Sequence, residues 1–152
     1  MSRQNYREKI MAKLLTQLSI ITVTNGYYTN VGGDVREWDV IPMDASECPC
    51  LIVQDGEDKI QCGHARHQHV LDVEITAVAS GSTAVADARK MLGDVYDALG
   101  TDESIGGYVE DIDYEGDTIM LIHPETRIAA GSISLKLHFN TEPFDSDKFY
   151  HV

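Results

Sequence analysis

No run of apolar residues in the 152-residue chain approaches the ~18–20 needed to cross a bilayer. The N-terminal MSRQNYREKI lacks the apolar core that a secretory signal requires. Together these absences lead to the expectation of a soluble protein of a cytoplasm, with no membrane partner. Cations are scarce too: 12 Lys and Arg stand against 25 Asp and Glu, for a net charge of −13. Ordinary DNA or RNA binding sets cations against phosphates, and this composition argues against it. Cysteine is limited to Cys48, Cys50 and Cys62. An odd number with no export signal suits reduced thiols and not a disulfide framework. Internal repeats and low-complexity tracts are missing as well, which removes repeat arrays from consideration.

What is present is the composition of a folded globular protein, 43% apolar. The length suits one domain with a sizeable core, residues 1–152, and is too short to expect two. The charge is uneven. Residues 1–69 carry 7 basic and 9 acidic side chains, whereas residues 70–152 carry 5 and 16. Solvated acidic faces are the ordinary origin of such an excess; repulsion of a passing polyanion is the functional one.

Residues 4–21 read as a first helix. Tyr6, Ile10, Leu14, Leu18 and Ile21 recur at helical spacing, with Met11 and Leu15 widening the stripe. Arg7 falls within that stripe, either with its stem along the core edge or as a contact to a neighbouring subunit. Residues 22–47 form an irregular loop or arm punctuated by Asn25-Gly26, Gly32-Gly33 and Pro42. VREWDVI within it reads as a short strand. Tyr27, Tyr28 and Trp38 suit either the core or a protein–protein interface, where aromatics are enriched. PCLIVQ reads as a buried strand, and Asp55-Gly56 as a turn into DKIQC.

The run from His69 to Thr141 reads strand, helix, two short strands, strand. His69, Leu71, Val73, Ile75 and Ala77 share one face of the first strand, with Asp72, Glu74 and Thr76 on the other. Ser82 is the expected N-cap of a helix whose stripe is Val85, Ala88, Leu92, Val95 and Leu99. Asp87, Lys90, Asp94 and Asp97 are expected to face outward, and Gly100 to stop the helix in a left-handed conformation. YVEDIDY and TIMLI flank Glu115-Gly116-Asp117 as a hairpin, and Pro124 ends the second of them. In the last strand Ile133, Leu135, Leu137 and Phe139 face in, while Ser134, Lys136, His138 and Asn140 face out. One apolar face per strand predicts an α+β fold. Its sheet is mixed and mainly antiparallel, with two amphipathic helices packed on one face, in the order helix, strands, strand, helix, hairpin, strand. The tail at residues 142–152 is aromatic without periodicity, either an ordered arm against another surface or a frayed end.

Catalytic chemistry finds little support. Cys48, Cys50, Cys62, His64, His67 and His69 place six possible zinc ligands within 22 residues. The ligand types suit zinc, but the one-residue gap of Cys48-Pro49-Cys50 does not make the usual knuckle. The reading is no metal and no cofactor, with Cys48, Cys50, Cys62 and His64 as the candidates if one binds. A Cys/His nucleophile would need a helix N-terminus or a base beside the thiol, and no helix is expected there. Glu110-Asp111 point to opposite faces of a strand, Asp102-Glu103 lie in a loop, and Gly106-Gly107 lacks a phosphate-loop context. The chain is expected not to be an enzyme.

The order of elements and the local wording resemble the tail terminator proteins of long-tailed bacteriophages. The resemblance covers most of the chain: the N-terminal helix, the irregular middle ending in PCLIV, and the strand with VEI. It continues through Gly81-Ser82, the helix ending in Ala98-Leu99-Gly100, the acidic strands, and the closing GSISLKLHFNT. It implies a structural virion protein of the siphovirus head–tail junction, made in the host cytoplasm. Such a protein forms a ring, typically a homohexamer, on the head-proximal end of the tail tube. The ring stops tube polymerisation and joins the neck. Implied partners are further copies of the chain, the tail tube protein and a neck or head-completion protein, with DNA only as the passing genome. Arg7, Tyr27, Tyr28, Trp38, Phe144, Phe149 and Tyr150 are the candidate interface residues. The cysteine–histidine cluster departs from the family pattern. Two alternatives stand beside this reading: another neck or tail-tube component, and a small zinc-binding module built on Cys48–His69.

Overall fold

Asn5 opens helix α1 (Tyr6–Leu18) in the computed structural model of the chain, which describes residues 3–151. Its side chain accepts from the Glu8 N–H, and the Glu8 carboxylate accepts from the Asn5 N–H. This reciprocal cap satisfies two donors that the helix start would otherwise leave unpaired. Ile10, Met11, Leu14 and Leu18 are buried along the expected stripe. The helix stops short of residue 21, and Ile21 enters the core from the turn beyond it.

Five strands form one sheet: β1 (Val35–Glu37), β2 (Cys50–Cys62), β3 (His67–Ser80), β4 (Asp111–His123) and β5 (Ile128–Thr141). Their order is β1-β2-β3-β5-β4, with β1 parallel to β2 and every other pair antiparallel. Helix α2 (Ala84–Gly100) and α1 share one core with a single face of the sheet. Leu71, Val73 and Ile75 of β3 lie there beside Leu137, Leu135 and Ile133 of β5. The expected α+β class, sheet type and one-sided helical layer are those of the structure. Among the described residues no helix is long and apolar enough to cross a membrane.

Local expectations fare less evenly. Glu115-Gly116-Asp117 does not reverse the chain; β4 runs through it as one strand with a register shift between Tyr114 and Gly116. Gly116 takes φ 146°, which absorbs an extra residue as a bulge and lets both halves pair with β5. The hairpin lies one step later, between β4 and β5. Asp55-Gly56 is likewise a shift inside the continuous strand β2, not a turn. Tyr108–Glu110 lie before β4, not in it, and VREWDVI yields only the three residues of β1. Trp38 follows at φ 52°, a conformation costly for a bulky residue, and turns the chain away from the edge of β2. Helix α2 is capped from Thr83 and not Ser82, with the Thr83 hydroxyl donating to Asp87. Gly100 is its last helical residue, and Thr101 closes it in a right-handed conformation, so no left-handed glycine stop is used.

The stretch after α1 is held by a close backbone approach. Gly32 N–H donates to Ile21 O at 2.9 Å, and a Cβ at Gly32 would meet Ile21 N, Ile21 O and Ser19 O at 2.7 Å. Backbone atoms cannot swing aside as a side-chain tip can. Gly32→Ala is therefore expected to cost about 1–3 kcal/mol, read as a fall in melting temperature. Gly33→Ala, where a Cβ meets nothing within 4 Å, should leave it within about 0.5 kcal/mol of wild type. Equal losses at both positions would count against the close-approach account.

The C-terminal tail is an ordered arm that lies against its own chain. Phe149 bridges to Thr141, Tyr150 N–H donates to Asn140 O, and Ser146 O accepts from Tyr6 N–H. Lys9 pairs with Asp147, and the Phe149 ring stacks on Tyr108 at 4.6 Å.

Candidate functional site

Among the described residues three surfaces of the sheet lie open: two strand edges and the part of the face away from the helices that lies beyond a small buried cluster of Cys50, Ile52, Val78, Ile128 and Ala130, on which Cys48 packs. The face away from the helices carries the outward residues of β3 and β5 and a depression of about 470 Å³ lined by Trp38, Gln54, Glu57, Asp72, Glu74 and Lys136. Lys136 Nζ sits 2.9 Å from Asp72, and His138 Nε2 lies 2.9 Å from Asp113. The hydrogen bond to Asp72, its charge, and those of Glu115 and Glu57 hold Lys136 in its charged form. The face is thus rich in carboxylates, with Lys136, Lys59 (level with outward-facing Val70) and Arg36 (level with Ile52) as its cations among the described residues. The other two surfaces are strand edges. Among the described residues β4 ends the sheet and has no strand on its outer side. Among the described residues β1 covers only Leu51–Val53 of β2, so Gln54–Cys62 has no strand beyond it either. Unpaired edges of this kind are templates for adding a strand from another chain.

Two buried polar constellations hold these surfaces in place. Asp58 accepts from the Tyr6 hydroxyl at 2.8 Å and faces His69 Nδ1 at 3.0 Å; His69 Nε2 lies 2.9 Å from the Thr141 hydroxyl. A carboxylate only accepts, so Nδ1 carries the proton. The His69 ring stacks on Phe139 at 4.6 Å. This relay ties α1, β2, β3 and the end of β5 together. Burial opposes ionisation of Asp58, but the hydrogen bonds from His69 and Tyr6 and the nearby positive charge outweigh it, so its pKa lies below the usual range. Burial and the hydrogen bond to Asp58 raise Tyr6 to about 12. An Asp–His–hydroxyl chain is also the layout of a nucleophilic triad. Here Thr141 is only 2% exposed, and its backbone bridges to Phe149.

The second constellation corrects an expectation. Asp94 does not face outward; it is 0% exposed and accepts from Tyr28 N–H, Thr29 N–H and the Thr29 hydroxyl. Its position on α2 looks solvent-facing by periodicity, but the loop at residues 27–31 closes over it. Nothing local to the helix signals this.

The candidate interface residues do not form one patch. Tyr28, Trp38 and Phe144 are strongly exposed, with Phe144 at 93% and its ring edge near His67. Trp38 is anchored through its indole N–H to Asp55. Arg7 pairs with Asp55 at 2.9 Å and donates to Gly56 O, so its head is committed within the chain. Tyr27 and Phe149 pack against the core, and Tyr150 is half-buried beneath the Arg66 guanidinium.

The cysteine–histidine cluster is pulled apart. Cys50 and Cys62 occupy opposite ends of β2, a separation of roughly 40 Å for an extended strand of that length. His64 sits in the turn after Cys62, while Cys48 lies beside Cys50. His67 and His69 are buried within β3. Burial raises Cys48 and pushes Cys50 up to about 11, the opposite of what a thiolate ligand or nucleophile requires. Among the described residues no group of three or more His, Cys, Asp or Glu side chains could hold a metal ion.

No protein-family model matches the chain, and no curated protein is similar to it in sequence. Among solved structures it is similar to a chain of the virion of a native gene transfer agent particle. The match has a TM-score of 0.55 at 13% identity and covers 85% of this chain and 92% of that one. The two share a fold over nearly their whole lengths.

Proposed function

We propose that the protein is a structural virion component, a tail terminator that forms a ring at the head-proximal end of a phage tail. It stops tube polymerisation there and joins the tail to the neck, and it has no catalytic role. The observation that carries this reading is the shared fold with a gene transfer agent virion chain over 85% of the length. Two further features support it. Among the described residues the sheet offers two different edges without a strand partner, β4 and the distal half of β2, and contact between unlike edges is heterologous. Heterologous contacts generate rings when the rotation closes, a homohexamer in this proposal. The carboxylate-rich open face also suits a channel through which a genome slides, because uncompensated negative charge disfavours phosphate binding.

The partners in this reading are neighbouring copies, the tail tube protein and a neck or head-completion protein, and the location is the head–tail junction of the virion. Electron microscopy of the purified protein, alone and mixed with tail tubes, tests it. Six-fold rings and tubes capped at one end are expected. Long tubes made of the protein itself would move it to the tube, and a zinc-loaded monomer indifferent to tubes would end the virion reading.

A further inference from the structure

Two exposed apolar patches lie on opposite sides of the sheet: one on the arm that leaves the β1–β2 edge and reaches Ser80 of β3, the other on the β4 edge. The first is the arm that follows β1, where Trp38 is 62%, Val40 79% and Met43 70% exposed. The second is the C-terminal half of β4, where Met120 is 61% and Leu121 42% exposed. Single exposed apolar residues are ordinary, but grouped ones mark interaction sites.

The strand registers show where the patches stand relative to one another. Trp38 bonds to Asp55, which is level with Val73, Leu135 and Tyr114 across the sheet. At the other end of the arm, Ala45 O lies 3.5 Å from the Ser80 hydroxyl, and Ser80 is level with Ile128 and His123. The arm therefore spans the same height of the sheet as Tyr114–His123, the part of β4 that carries Met120 and Leu121. Lys59 in turn is level with Val70, His138 and Asp111. Strand direction agrees: β1 and β2 run opposite to β4. A copy rotated about an axis along the strands thus brings an antiparallel pair of edges together.

Resting on the ring reading above, we infer that the Trp38–Met43 arm of one copy packs on the Met120–Leu121 end of β4 in the next copy. Lys59 then faces the acidic half of that strand. Charge decides the occupant. β4 carries Asp111, Asp113, Glu115 and Asp117 and no Lys or Arg, so two β4 edges paired with each other would line one seam with carboxylates. Like charges opposite one another destabilise a strand pair. On the β2 edge two of the three acids are answered within the chain, Asp55 by Arg7 and Trp38 and Asp58 by His69 and Tyr6, and Glu57 stands two residues from Lys59. Among the described residues Lys59 has no ion-pair partner. The unlike edge is the better match on both counts, apolar against apolar and lysine against acid.

The test uses the full chain with Val40→Asp and Met43→Asp together on the arm, and Met120→Asp alone on β4. Sedimentation velocity should show a multi-copy species for wild type and a monomer for each variant. A one-to-one mixture of the two variants retains one intact arm and one intact β4 patch per pair, so it should yield a dimer and nothing larger. An arm that touched its own counterpart would not be rescued by mixing. All three positions are exposed, and unchanged melting temperatures verify folding; Val40→Ser and Met120→Gln provide a milder pair. Rings formed by either variant, a monomeric mixture, or a monomeric wild type would each overturn this contact. Tube capping by wild-type protein is scored separately, so failure of the contact and failure of the terminator role are told apart.

Discussion

Asp58→Ala is expected to lower stability by about 2–5 kcal/mol, since the carboxylate is the shared acceptor of two buried donors at about 1–3 kcal/mol each. The side chains of His69 and Asp58 are only 2% and 7% exposed. The substitution leaves the His69 Nδ1 proton and the Tyr6 hydroxyl facing an apolar space with no acceptor, and water cannot readily replace the carboxylate. Urea denaturation of wild type, Asp58→Ala and Asp58→Asn reads the effect. The asparagine keeps one acceptor oxygen and should fall between the other two.

The same site predicts an acid dependence. The folded-state pKa of Asp58 is depressed, so its contribution is present above the unfolded value of about 3.9 and is lost as pH falls through the folded one. The gap between wild type and Asp58→Asn should therefore be wide at about pH 7 and narrow progressively below about pH 4. A gap that stays constant down to the acid transition would show that the carboxylate's charge is not what the relay uses.

Asp94→Ala is the second large effect, expected at roughly 3 kcal/mol or more, since three donors lose one shared acceptor at about 1–3 kcal/mol each with incomplete additivity. Its consequence is local as well as global. Tyr28 and Thr29 N–H both point at Asp94, so hydrogen exchange at these two amides should accelerate more than at core amides of β3. Equal acceleration everywhere would mean that the loop is not held by Asp94. Because Tyr28 is 70% exposed on this loop, the variant also separates loop order from ring formation: folded protein with a loosened loop should still pass the arm and β4 test.

These two residues mark the boundary of what a single strand or helix reveals. His69 was legible as inward-facing because it falls in step with Leu71, Val73 and Ile75. Its partners were not, because Asp58 and Thr141 lie 11 and 72 residues away. Asp94 was misplaced because helical periodicity describes the helix against the sheet and carries no information about a loop arriving from residues 27–31. The two missed bulges share one cause. Asp-Gly and Glu-Gly-Asp are turn chemistry in isolation, and only a partner strand running unbroken past both sides converts a turn into a register shift. The cysteine–histidine cluster is the reverse case, since closeness in sequence became a separation along most of β2.

The amino-acid sequence by itself determined the α+β class, the two amphipathic helices and the inward faces of β3 and β5. All of these follow from periodicities of 2 and 3.6 that any local stretch displays. It also determined the acidic excess and the scarcity of cations. Tertiary structure alone decided the strand order, and with it which edges stay open. It likewise decided the fate of the aromatic tail and the height at which the apolar arm stands opposite β4. The physical reason is the same throughout. Burying one face of each element is a local requirement written in spacing. Which distant groups satisfy a buried carboxylate or cover a strand edge depends on where the whole chain places them.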